Sequence, residues 1–204
     1  MAIFRPKESS GNGSNFYGIC KFGILGFEDK TSQYDWADLY LDVEIKQEGS
    51  DYTKQLRITG NLDKDSNGNI TGGSALKRLY HFFDVIGCTA GLNVKGEWEN
   101  ENGEIIHDIA KYLNATVSQD IIPDTDPEYN YIAYIYKEKP KVKGGKVYSR
   151  VFQKVQKADE EGRKKLEADV KWFKGKGFIK EATESDTETP QQTVEMSGTG
   201  IGNL

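Results

Sequence analysis

The stretch that most constrains this chain is DLYLDVEIK, residues 38–46, because its side chains alternate without a break. Leu39, Leu41, Val43 and Ile45 are apolar, and Tyr40, Asp42, Glu44 and Lys46 lie between them. A period of two cannot be laid on a helix, whose faces repeat every 3.6 residues. It predicts a strand with one face in a core and the other in water. The QEGSD sequence that follows reads as a turn. YTKQLRITG then continues the pattern, with Leu56 and Ile58 inward and Arg57 and Thr59 outward, so the two runs predict a hairpin. Before them, FYGICKFGILGF (16–27) is apolar but interrupted by Gly18, Gly23 and Gly26. It predicts a bent strand, with glycines where a small barrel curves or another backbone comes close.

Turn residues fill GNLDKDSNGNITGG (60–73). Asp63, Asp65, Asn67, Gly68 and Ile70 match the front of a calcium loop of the EF-hand kind, but Ser74 stands where the bidentate Glu is needed. An Asn-Gly turn is the better account. Ser74 then caps a helix through ALKRLYHFFDVI, ended by Gly87. Leu76, Leu79, Phe83 and Ile86 form its buried stripe, while Lys77, His81 and Asp84 face away from it. LNVKGEWE reads as a strand, and EIIHDIAKYLN fits a helix or a strand. ATVSQDII and YNYIAYIYK read as a hairpin across PDTDPE, with Tyr134 and Tyr136 on one face of the second strand. KVKGGKVYSRVF is a glycine-hinged connector or a short hairpin. Beyond it Val155, Ala158, Gly162, Leu166, Val170 and Phe173 recur at helical spacing. Glu160–Lys164, Glu161–Lys165 and Glu167–Lys171 are spaced as ion pairs on that helix, and Gly162 inside it points to close packing or a kink.

Charge is strongly partitioned along the chain. Residues 137–180 carry 15 Lys+Arg against 6 Asp+Glu, a net of +9, whereas residues 1–136 carry 12 against 21 and residues 181–204 carry none against 5. Tyr148, Phe152, Trp172, Phe173 and Phe178 are interspersed in the basic block. Lysines track phosphates and aromatic faces accept unstacked bases, so this mixture fits a single-stranded nucleic acid. The helix pairs neutralise part of the block, which leaves its flanks, 137–157 and 171–180, as the cationic surface.

These elements predict a mainly β protein with helices (α+β): an OB-like small β-barrel with one inserted helix, then a C-terminal amphipathic helix. The expected boundaries are a disordered arm at 1–15, the barrel at 16–140, the basic connector and helix at 141–180, and a disordered acidic tail at 181–204. No run approaches the roughly 20 apolar residues of a membrane span. The start lacks an apolar signal region, so a cytoplasmic location is expected. Cys20 and Cys88 form no CxxC motif, so neither metal nor cofactor is expected.

The YDWADLYLDVEI and YTKQLRITG strands, the helix ALKRLYHFFDVIG and the KYLNATV…YNYIAYIYKEKP stretch with its lysine-rich exit resemble single-stranded-DNA-binding proteins of tailed bacteriophages. The resemblance covers roughly residues 16–140 and lies in layout rather than in one motif. It implies sequence-independent binding without catalysis, in phage DNA replication or recombination. It also implies replication or recombination proteins as partners of the acidic tail, and self-association is compatible with it. The ending SGTGIGNL departs from the acidic-plus-aromatic ends of many such proteins. On this reading Arg57, Tyr134 and Tyr136 contact the strand from an open barrel face. Lys137, Lys139, Lys141, Lys143, Lys146, Arg150, Lys154, Lys174 and Lys176 hold phosphates, and Tyr148 and Trp172 stack on bases. Two other classes compete: an adaptor whose basic helix binds an acidic protein, and a metal-dependent nuclease, for which no carboxylate spacing is recognisable.

Overall fold

A computed structural model describes residues 17–119, 126–142, 145–183 and Asp186. The arm at 1–15, Lys143 and nearly all of the acidic tail therefore lie outside the described residues. The fold is α+β, with a mainly antiparallel sheet and three helices.

The sheet begins with a long strand, β1 (Gly18–Asp29), which changes partners along its length. Its first half pairs with a strand from late in the chain, and from Phe22 onward it pairs with β2 (Leu39–Gln47). The register slips between Ile24 and Gly26, a bulge that bends the strand as its glycines predict. At Gly23 a side chain would collide with Glu128 O at 2.8 Å and Pro127 Cβ at 2.9 Å. Here a second backbone does come close. β2 and β3 (Thr53–Gly60) form the predicted hairpin, in a register that sets Asp42 opposite Arg57. Leu39, Leu41, Val43, Ile45, Leu56 and Ile58 are all buried in the main core. Each such side chain contributes about 1.5–3 kcal/mol of transfer free energy. The water face departs from expectation, because Tyr40 and Asp42 are buried as well. Tyr34 stacks on Tyr40, and Lys30 and Arg57 close over Asp42.

Two short strands, β4 (Asp63–Lys64) and β5 (Ile70–Gly72), make the Asn-Gly hairpin. The carboxylate of Asp65 accepts hydrogen bonds from the backbone N–H groups of Asn67 and Asn69 and from the Asn69 amide, at 2.8–3.0 Å. Its lone pairs are thus used within the turn. Among the described residues no group of three or more His, Cys, Asp or Glu could hold a metal ion.

Helix α1 (Ser74–Ile86) ends at Gly87 in the left-handed region, as expected. Its buried face is shifted from the expected stripe: Leu79 and Phe83 are buried together with Ala75, Phe82 and Val85, whereas Leu76 and Ile86 are only partly buried. Gly73, rather than Ser74, occupies the N-cap position. His81 is half-buried, not exposed, and its Nε2 lies 2.9 Å from Val155 O. The 92–99 segment is not one strand but two, β6 (Gly91–Leu92) and β7 (Trp98–Glu99), around a tight turn. Helix α2 (Ile109–Thr116) resolves the ambiguity of EIIHDIAKYLN, with Asp108 capping it through Lys111 N at 2.9 Å. It docks on β1 through Asn114, which accepts from Phe27 N and donates to Phe27 O.

Of the expected ATVSQDII–YNYIAYIYK hairpin, residues 120–122 lie outside the described residues, Ala115 and Thr116 end α2 rather than start a strand, and β8 (Tyr131–Glu138) pairs with β1. β9 (Tyr148–Val151) returns along β8 as a hairpin, and β10 (Gln156–Lys157) continues on the same edge. Helix α3 (Glu160–Gly175) follows, capped by Asp159. It packs Leu166 and Val170 against Ile132 and Phe152 in a second core on the outer side of β8.

The sheet runs β10-β8-β1-β2-β3, with β9 also on β8. It is not closed into a barrel, so of the expected OB-like barrel the α+β class and the mainly antiparallel sheet are what the structure shows. Among the described residues β3 pairs only with β2, and β9 only with β8. Side chains of both edges line the gap between them, and no ladder hydrogen bonds cross it among the described residues.

Candidate nucleic-acid interface

The open seam is a concavity of about 860 Å³. One wall is β3, whose Thr53, Gln55 and Arg57 share the outward face because Leu56 and Ile58 take the core face. Tyr148, Ser149, Arg150 and Val151 of β9 form the other wall. Tyr136, Phe173 and Phe178 supply aromatic surface, and Lys54, Arg57 and Arg150 supply positive charge against Glu138. Arg57 contacts Asp42 through Nε at 3.2 Å, and Arg150 contacts Glu138 through Nε at 2.7 Å. A guanidinium carries five N–H donors in a planar fork, so a single Nε contact leaves the amino groups geometry for a phosphate.

Four of the residues expected from sequence therefore meet here: Arg57, Tyr136, Tyr148 and Arg150. Tyr148 is exposed, and Tyr136 is half-buried, with burial and then Glu138 raising its phenol pKa. Tyr134 is placed differently. It lies on the face of β8 covered by α3, stacked on Tyr136 at 5.9 Å, and its hydroxyl bonds to Glu181 and to Lys174 Nζ. An open barrel face was expected to present both tyrosines, but the second core covers that face.

Trp172 is 53% exposed at the end of α3, with the Phe178 ring stacked 6.1 Å away and Lys176 over its own ring at 6.0 Å. Phe178 lines the seam, so this aromatic pair forms a rim to it. Phe173 packs edge-on against Phe152 at 5.0 Å, as its place on the apolar stripe predicts. Lys54, Gln55 and Phe178 are seam residues that the sequence reading missed. Gln55 shares its strand face with Arg57 and was legible by the period of two. Phe178 lies beyond the helix, just after Gly177, where no periodicity marks it.

The basic flanks are only partly available. Lys154 pairs with Asp169 at 3.3 Å, Lys139 with Asp186 at 3.3 Å, and Lys174 with Glu181 at 2.7 Å. Burial alone would lower the Lys174 ammonium, but its hydrogen bonds to Glu181 and Tyr134 outweigh that and raise it. Lys137 sits over the Tyr17 ring at 5.2 Å. Lys141 and Lys146 are exposed in the β8–β9 connection and make no ion pair among the described residues. Along α3, Lys164 and Lys165 pair with Glu160 and Glu161, and Glu167 pairs with Arg163 rather than with Lys171.

Comparison adds no relative: no family model, curated protein or solved structure matches this chain. Among the described residues no helix is long and apolar enough to cross a membrane.

Proposed function

We propose that this chain is a non-catalytic protein that binds single-stranded DNA without sequence preference along the β3–β9 seam. The observation that carries this reading is the seam itself, an open channel with arginines on both walls and aromatic rings within it. A positively charged groove that follows a backbone, with rings on which bases stack, is the general solution for sequence-independent single-strand binding. A duplex offers no unstacked bases to Tyr148 or Phe178. The finer fold reading supports the same proposal. A β1-β2-β3 meander, a helix, and two more strands returning beside β1 follow the order of a partly open OB barrel, which binds oligonucleotides across its open face. The resemblance to phage single-strand-binding proteins favours DNA, with work in replication or recombination. Lys141 and Lys146, exposed in the connection between the seam's β9 wall and β8, extend the phosphate path.

The test is competition in fluorescence anisotropy. A labelled single-stranded oligonucleotide bound to the protein should be displaced by unlabelled single strand but only weakly by duplex of the same length. The double variant R57A/R150A should lose at least tenfold in affinity, since hydrogen bonds to charged groups are each worth about 1.5–3 kcal/mol. Equal displacement by duplex, or an R57A/R150A protein that binds like wild type, would refute the seam as the site.

A second reading, an adaptor for acidic peptides, is favoured by one observation. The chain's own Glu181 and Asp186 sit on Lys174 and Lys139. An acidic peptide that binds at low salt while oligonucleotides do not would select it.

A further inference from the structure

The outward face of the β2–β3 hairpin continues past the seam to an aromatic cluster that the seam does not include. Tyr34 stacks on Tyr40 with ring centroids 4.4 Å apart and planes 20° apart. The Trp36 ring lies 5.9 Å from Tyr34 and edge-on to Tyr40 at 5.8 Å. Tyr40 is buried and fixed in the strand, whereas Trp36 is 58% exposed. Large indole surface is thus held in place by two rings and offered to solvent, which the packing of the core does not require.

The cluster shares a residue chain with the seam. Tyr40 pairs with Thr59 and Asp42 with Arg57, so all four lie on one face. Asp42 is held between Lys30 Nζ at 2.8 Å and Arg57 Nε at 3.2 Å, so one carboxylate is flanked by two cations. Arg57 also lines the seam. From Thr53 to Thr59 this face spans six residue steps, about 20 Å at roughly 3.4 Å each. Closer to Trp36 the charges are acidic: Asp35 adjoins it, and Asp38 is paired with Lys64 at 2.6 Å. The cluster is therefore suited to stack a base and not to neutralise a phosphate.

We infer that Trp36, supported by Tyr34 and Tyr40, is a second base-stacking subsite for the same single strand, reached from the seam across Arg57. This rests on the seam reading above. The test uses the full-length chain and labelled oligothymidylates of increasing length, with W36A, W36F and R150A variants. W36A should bind the shortest oligonucleotides that the seam alone can hold as wild type does. It should bind longer ones about tenfold more weakly, in keeping with one lost base–aromatic stack. Its salt dependence should match that of wild type, because no phosphate contact is lost. W36F should restore affinity while losing part of the fluorescence quenching that DNA causes in wild type. R150A should weaken binding at every length and flatten the salt dependence. W36A that matches wild type at every length, with R150A impaired, would overturn the subsite and leave the seam standing. Wild type that binds no oligonucleotide would overturn the seam reading and the subsite with it.

Discussion

Gly162 sits in the first turn of α3, where an added methyl group would collide with the Lys157 carbonyl oxygen and crowd Asp159 Oδ1 at 3.1 Å. Helix propensity argues for Ala at such a position by about 1 kcal/mol. Collision with backbone argues the other way, because overpacking costs about 1–3 kcal/mol and here nothing flexible can yield. G162A should therefore lower the urea midpoint without changing the m-value. An increase in stability would show that the helix start is looser than its geometry implies. The sequence marks this glycine only as an anomaly in an apolar stripe, since the obstacle comes from the chain before the helix. Three five-residue loops teach the converse. Asp65–Asn69, Asn93–Glu97 and Asn100–Glu104 share one pattern: the first side chain accepts from the backbone N–H groups two and four residues on, and a Gly sits fourth. Their common spacing, Asx-x-x-Gly-Asn/Glu, is local and fully legible. The calcium-like reading of the first loop and the strand reading of the second hid it.

At the scale of elements, local periodicity located β2, β3 and α1 well, because each carries its own hydrophobic pattern, but it started α3 too early: Val155 and Ala158 precede the helix, which begins at Glu160. It located β8 too, but not what covers it: one face packs on the main core and the other under α3. Alternation in YNYIAYIYK says that both faces are amphipathic but not that a helix 30 residues later will cover one of them. That is why Tyr134 was read as open. The segment that leaves α3 adds a further element. Ala182 N donates to Lys137 O at 2.9 Å and Lys139 N to Lys180 O at 2.8 Å, so the start of the acidic tail lies along the end of β8. Glu181 fastens it. Burial would raise its carboxyl, but hydrogen bonds from Lys174 and Tyr134 lower it below the ordinary 4.5. A depressed carboxyl stabilises the folded segment above its unfolded pKa, and the contribution is lost as the pH falls through the folded one. Protection of the Ala182 amide in hydrogen exchange should thus hold near neutral pH and be lost as the pH falls below the ordinary 4.5 of a glutamate. Protection unchanged across that window would mean that Glu181 does not hold the segment. Because Glu181 and Asp186 occupy Lys174 and Lys139, truncation after Lys180 should strengthen oligonucleotide binding. Affinity that stays the same would assign the tail another role.

Across the whole molecule, the position of the binding surface depends on two edges that are distant in sequence. β3 and β9 are separated by 87 residues between Gly60 and Tyr148, and neither strand pattern says that they will face each other without pairing. The order of elements was legible; the open seam was not. Charge was legible in total and misleading in detail, because seven of the basic residues between 137 and 180 are held in ion pairs with the acidic side chains around them. The proposed positive surface comprises Lys54, Arg57 and Arg150 of the seam, the two arginines each keeping an acidic neighbour, and the exposed Lys141 and Lys146 of the β8–β9 connection, whereas Lys157 lines other concavities. If that surface binds single-stranded DNA by displacing counterions, affinity must depend on salt in a countable way. The decisive measurement is the slope of log K against log salt for a single-stranded oligonucleotide, in wild type and in R150A. The account predicts a steep negative slope in wild type, about 0.7 for each phosphate neutralised, and a slope shallower by about 0.7 in R150A. A wild-type slope near zero, or an R150A slope equal to that of wild type, would contradict it.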